Sequence, residues 1–185
     1  PSVGLSPETP FPPETDFAGK ETRIVVFVCN CWIKIGGIAA VPFVRDYARK
    51  LPFVVHVEDN LFTCSQDAQD HIKEVLVENE INRVVIASCS PRTHEPLFQE
   101  TIRDAGLNKY LFEMANIREH CSLVHLYEPE KATEKAKDLV QMAVARVTLM
   151  KRKEEAEVPV AKNAFVIGGG VAGIQAALYL PDTGY

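Results

Sequence analysis

Five cysteines carry most of the chemistry this sequence can offer: Cys29, Cys31, Cys64, Cys89 and Cys121. Thiolates act as nucleophiles, as redox partners, or as ligands for zinc and iron–sulfur centres. The spacing is neither the C-x₂-C-x₂-C run of a ferredoxin nor the paired C-x₂-C of a zinc ribbon. A phosphatase-type loop at Cys89 would need an arginine where Glu95 stands. An odd number of widely spaced cysteines speaks for free thiols or a metal site rather than disulfides. His94, His120 and His125 lie nearby in sequence, but surface or capping roles suit them better than ligation. A second motif, Gly168-Gly-Gly-Val-Ala-Gly173, follows an apolar run and precedes a helical pattern. Gly168, Gly170 and Gly173 fit the G-x-G-x-x-G turn that brings backbone close to a dinucleotide pyrophosphate. The acid that would hold the ribose, ~20 residues further on, falls beyond Tyr185, so the expected site is incomplete.

The elements that must position these residues alternate. Arg23–Cys29 is β-branched and nearly continuous, as in a strand buried on both faces. Residues 39–50 read as a helix ended by Leu51-Pro52, and Phe53–Val57 as a second strand. Gln66–Asn79 is an amphipathic helix with Ile72, Val75 and Leu76 on one face, and Arg83–Ser88 a third strand. A helix over 95–105 stops at Gly106, Tyr110–Met114 is a fourth strand, and Asn116 with Glu119 fits a helix cap. Pro129 to Met150 is a long helix with an apolar stripe. Such alternation predicts an α/β fold: an open, mostly parallel sheet with helices on both faces, Rossmann- or flavodoxin-like, its strand order open. In that arrangement the loops after the strands share one edge, which is where the cysteines fall. Cys121, near a helix start, would have its thiolate favoured by the helix dipole.

Around this α/β domain (23–150) lie a Pro-rich arm (1–22), a charged linker (151–162) and an incomplete second βα unit (163–185). The arm holds five prolines and reads as extended, with packing through Phe11 and Phe17 as the alternative. The second unit should comprise a strand at Ala164–Ile167 and a helix from Ile174 to Leu180, stopped by Pro181. With 25 acidic and 20 basic residues, the formal charge of −5 argues against a dedicated nucleic-acid binder. No apolar stretch is long enough to span a membrane, and the first residues are no secretory signal. A cytoplasmic protein is expected.

Several long runs resemble the A subunit of heterodisulfide reductase and its relatives. They are Val26-Phe-Val-Cys-Asn-Cys31, Glu58-Asp-Asn-Leu-Phe-Thr-Cys-Ser65, Arg83–Pro96 around Ser88-Cys-Ser-Pro-Arg-Thr-His94, and Tyr110–Cys121. Glu130–Arg146 and the glycine fingerprint extend the likeness, which covers residue 23 to the end. The resemblance implies an iron–sulfur flavoprotein, an oxidoreductase component working in electron transport with other redox subunits, with flavin bifurcation in some members. It implies a [4Fe–4S] cluster in the N-terminal domain, then an FAD domain and ferredoxin modules. Carried onto this chain, the cluster candidates are Cys29, Cys31, Cys64, Cys89 and Cys121, one of them spare. Cys64, Cys89, Cys121 and one of the first pair are favoured, because two ligands one residue apart sit awkwardly on one cube. Gly168, Gly170 and Gly173 match the FAD turn, FAD itself needing an intact, longer protein. Where relatives usually carry glycine after the C-x-C, this chain has Trp32, which should crowd the loop. The expected role is electron relay with no catalytic side chain, the 185 residues alone being inactive. The alternative is a metal-free or zinc-binding docking module for redox subunits; self-association is left open.

Overall fold

The computed structural model describes residues 10–156, 158–159 and 161–184. The chain divides into two units, Pro1–Lys153 and Glu154–Tyr185. In the first unit, β1 (Ile24–Cys29), β2 (Val54–Asn60), β3 (Arg83–Ser88) and β4 (Phe112–Asn116) form one sheet, ordered β2-β1-β3-β4. Every pairing is parallel. The expected α/β class is therefore what folds, and the order is that of the flavodoxin-like doubly wound sheet.

All six residues of β1 are buried, because it is central and covered on both faces. Ile24, Val26 and Val28 join Val85 and Ala87 in a core beneath α1 (Val41–Ala48) and α4 (Pro129–Leu149). Val25 and Phe27 join Val84 and Ile86 in a second core beneath α2 (Gln66–Glu78) and α3 (Pro91–Asp104). The edge strand β2 runs on to Asn60 and tolerates His56 and Glu58, which clasp each other at 2.6 Å. Helix α3 starts earlier than its apolar pattern suggests. Ser90 Oγ accepts from the Arg92 N–H at 3.3 Å, and Pro91 takes the first position, where a missing N–H costs nothing.

The first nine residues of the Pro-rich arm lie outside the described residues. From Pro10 onward the arm is tied down. The Phe11 ring lies 3.9 Å from the Arg103 guanidinium, the Thr15 N–H donates to the Gly106 carbonyl at 2.8 Å, and Phe17 packs on the α2/α3 core.

In the second unit α5 spans Val171–Tyr179, with a 3₁₀ turn at Pro181–Thr183. The helix begins ahead of the expected Ile174, whose N–H already bonds the Gly170 carbonyl at 3.0 Å. The strand expected at Ala164–Ile167 is not formed. A strand exists through a ladder with a neighbour, and the described residues of this unit provide none.

Candidate functional site

Parallel pairing brings the C-terminal ends of all four strands to one edge. The chain leaves β1 toward β2 on one side and β3 on the other, so the crevice between β1 and β3 is the topological switch point. Cys29 ends β1, opposite Asn60 of β2, and Cys89 directly follows β3. Beyond the strands, the Asn30 N–H donates to the Asn60 carbonyl at 2.7 Å and the Cys31 N–H to the Leu61 carbonyl at 2.8 Å. These bonds hold the C-x-C loop against the loop that carries Cys64. The loop turns sharply: Cys31 (φ 36°) and Trp32 (φ 41°) are both left-handed, costing on the order of 1 kcal/mol each. A glycine would relieve Trp32 of that strain. Its indole does not crowd the loop as expected; it is 68% exposed. At Gly36 a Cβ would fall 1.5 Å from Asn30 Oδ1, so any larger residue there would displace the Asn30 side chain.

Cys29, Cys31, Cys64 and Cys89 share one neighbourhood. Burial pushes the Cys64 thiol up, and the nearby Cys29 and Cys31 push it further. Burial also raises Cys89; Arg118 opposes this, while Glu119, Cys29 and Cys64 reinforce it. Several thiols packed together resist ionisation until positive charge joins them. Arg118 brings some. Its side chain is one-fifth exposed, and Nε and Nη2 both bond Glu119 Oε1 at 2.8 and 2.5 Å. Asn116 Oδ1 sets this segment, accepting from the N–H groups of Arg118 (3.3 Å) and Glu119 (2.9 Å). From there the chain makes a single π-type turn, Arg118–Ser122, tied to the C-x-C loop by Ser122 Oγ donating to the Lys34 carbonyl at 2.6 Å.

Four buried polar atoms at this edge have no partner among the described residues: Asn60 Oδ1, Thr63 Oγ1, Ser88 Oγ and Glu119 Oε2. Leaving such an atom unpaired costs roughly 1–3 kcal/mol, so a gathering of them marks a place where something further is accommodated. Among the described residues, no three His, Cys, Asp or Glu side chains converge closely enough to hold a single metal ion. Large apolar side chains, including Trp32, Ile33, Leu61 and Phe62, are exposed on the loops of this same edge.

Cys121 stands apart. Its thiol is fully buried in the α1/α4 core and donates to the Ala132 carbonyl at 2.8 Å. Burial pushes it up to about 11, partly offset by Lys135. The expectation of a dipole-favoured thiolate therefore fails, because the turn is short and its sulfur is engaged with α4. The histidines take ordinary roles: His94 meets the Phe98 ring edge-on at 6.4 Å, and His125 Nδ1 lies 3.3 Å from Glu128. Sequence reasoning missed Arg118, Thr63 and Ser88. The available signal was a hydroxyl residue directly before a cysteine, at Thr63-Cys64 and again at Ser88-Cys89.

In the second unit Gly168 is left-handed (φ 112°), and a Cβ on Gly173 would fall 1.9 Å from the Gly168 carbonyl oxygen. Gly170 caps α5. The first and third glycines are thus demanded by the turn itself.

No family model matches the chain. Among curated proteins it is 55% identical over 166 residues to the A subunit of the H2:CoB-CoM heterodisulfide,ferredoxin reductase of Methanothermobacter marburgensis. That alignment covers 90% of this chain and 25% of the relative. It is 51% identical over 168 residues to the second iron-sulfur A subunit of the CoB–CoM heterodisulfide reductase of Methanopyrus kandleri, covering 91% and 26%. The A subunit of the Ferredoxin/F420H2-dependent CoB-CoM heterodisulfide reductase of Methanosarcina acetivorans is 42% identical over 163 residues, covering 88% and 21%. The chain spans about a quarter of the length of the first two of these relatives.

Proposed function

The chain belongs to the family of heterodisulfide reductase A subunits, and from there we propose that its first unit holds a [4Fe–4S] cluster and relays electrons within a heterodisulfide-reductase-type assembly. The observation that carries this reading is that the segments bearing Cys29, Cys31, Cys64 and Cys89 meet at the switch point, where four buried polar atoms have no partner among the described residues. Cys29, Cys31, Cys64 and Cys89 would be the ligands, with Cys121 the spare thiol. This set differs from the one favoured on sequence, because Cys121 is committed to Ala132 while the left-handed turn sets Cys31 beside the Cys64 loop. Zinc would need its sulfurs at about 2.3 Å from one point, and no three His, Cys, Asp or Glu side chains among the described residues are so arranged; a cube would spread its ligands over four iron atoms.

When bound, the cluster supplies a centre that takes up and returns one electron at a time. The chain's own residues set its surroundings. The Thr63 and Ser88 hydroxyls are buried with no partner among the described residues, and the central strands are buried beside them. We further propose that 23–150 is the cluster domain, 151–162 a linker, and 163–185 the start of an FAD-binding domain whose pyrophosphate turn is Gly168, Gly170 and Gly173. Other redox subunits would be its partners. The described residues contain no helix long and apolar enough to cross a membrane.

The deciding experiment measures iron, acid-labile sulfide and zinc, with a visible spectrum, on protein purified without oxygen. The expected result is about four iron and four sulfide per chain. Zinc without sulfide would redirect the reading to a structural metal site. No metal after anaerobic reconstitution would overturn it and leave a docking module, for which the exposed Trp32, Ile33, Leu61 and Phe62 would be the surface.

A further inference from the structure

Asn108, 5% exposed at the corner between α3 and β4, joins two segments from opposite ends of the first unit's sequence. Its amide nitrogen donates to Glu14 at 2.9 and 3.1 Å and to the Lys153 carbonyl at 2.9 Å, while its oxygen accepts the Lys153 N–H at 3.5 Å. Glu14 Oε2 also takes Arg152 Nε at 2.8 Å, so one carboxylate bridges the N-terminal arm and the root of the linker. Lys153, its ammonium 5.6 Å from the Tyr110 ring, is the last residue of the first unit. The seat of the arm is closely fitted. Gly106 turns there at φ 76°, and a Cβ on it would lie 3.4 Å from the Pro13 carbonyl oxygen and from Thr15 Oγ1. Pro10, Pro12 and Pro13 each fix φ near −65°, so the arm loses less conformational entropy when it docks.

We propose that the N-terminal arm is a strap that sets where the linker becomes free, with Glu14 as its latch. While Glu14 holds Asn108 and Arg152, the chain is fastened through Lys153. When the strap lifts, Arg152 loses its carboxylate and the fastening retreats to Met150, whose carbonyl accepts from Arg83 Nη2 at 3.1 Å. The tether to the second unit then gains Lys151, Arg152 and Lys153, about 10 Å of reach when extended. Because arm and linker meet on the same carboxylate, their docking is coupled, and loosening one loosens the other by the same factor.

The test is limited trypsin digestion of the full chain, with cleavage after Arg152 measured against cleavage after Lys162. It is paired with hydrogen exchange at the Thr15 amide, which donates to the Gly106 carbonyl. Glu14→Ala should speed cleavage after Arg152 about tenfold relative to Lys162, since cutting follows the population of the opened segment. Arg152→Ala, at the other end of the latch, should speed Thr15 exchange about threefold, the size expected of a partly exposed ion pair. Unchanged cleavage after Arg152 in Glu14→Ala, or equal acceleration after both residues, would overturn the latch. Unchanged Thr15 exchange in Arg152→Ala would overturn the coupling and the strap with it. If Glu14→Ala loses the parental circular dichroism, Arg152→Ala decides alone.

Discussion

The two ends of the sheet are built from the same four strands, yet only one of them is finished. At the N-terminal end Asn82, 2% exposed, accepts the Arg23 N–H through Oδ1 at 2.9 Å and donates to the Glu21 carbonyl at 2.7 Å. Arg23 closes on the Asn79 carbonyl with two nitrogens, at 3.0 and 2.9 Å. Asn108 reaches Glu14 and the Lys153 carbonyl, both at 2.9 Å, and Glu14 also pairs with Arg152 at 2.8 Å. There the orphaned atom is Arg83 Nε, whose sister nitrogens bond Asn82 and Met150. At the C-terminal end the unpaired atoms among the described residues are two hydroxyls, an amide oxygen and a carboxylate oxygen. The difference is polar bookkeeping, and it separates an end that holds the fold together from one suited to receive a ligand.

Exchanging cysteines breaks this contrast most sharply. Cys89→Ser should abolish iron binding after reconstitution, whereas Cys121→Ser should leave the iron count at the parental value. Equal losses from both would merge the two kinds of thiol.

Next in size is the finished end. Asn82→Ala strands the Arg23 N–H and the Glu21 carbonyl and should cost roughly 2–4 kcal/mol in urea unfolding, with iron content unaffected. A loss of iron instead would mean that the two ends are coupled.

Cys121 offers a pH measurement. Its folded value lies near 11 against 9 for a free thiol, so above pH 9 the unfolded chain gives up a proton that the folded chain retains. Stability should therefore be complete below pH 9 and fall by on the order of 2–3 kcal/mol toward pH 11. Unfolding of the parent and of Cys121→Ala at both limits isolates the effect, which the variant should lack.

The smallest effect is expected at Thr63→Val in the unloaded chain. Removing a hydroxyl that has no partner should change stability by less than ~1 kcal/mol, and in the favourable direction. A clear destabilisation would show that this hydroxyl is already satisfied.

Much of the fold was legible because the central strands are written in β-branched residues that few other environments accept. Arg23–Cys29 and Arg83–Ser88 could be read directly, and their parallel pairing followed from the helices between them. The edges were harder. His56, Glu58 and Asp59 obscured the end of β2, since an edge strand need not be apolar. The start of α3 was hidden by Pro91 and Pro96, residues that usually mark a break. For the site, strand ends indicated where Cys29 and Cys89 should lie, but a position five residues past β4 can swing to either layer. Cys121 swings toward α4, which no local pattern announces. Arg118 was invisible for a similar reason: its charge acts on Cys64 and Cys89, which other segments carry.

Trp32 is the chain's only tryptophan, and it stands next to Cys31 on the rim of the thiol edge, its ring mostly in solvent. The molecule therefore carries its own optical reporter at the place of interest. Ultraviolet emission from that one indole should dim when a visible-absorbing group occupies the neighbouring thiols and brighten when the group is stripped away. Filling and emptying of the site could then be followed in real time, with no label attached.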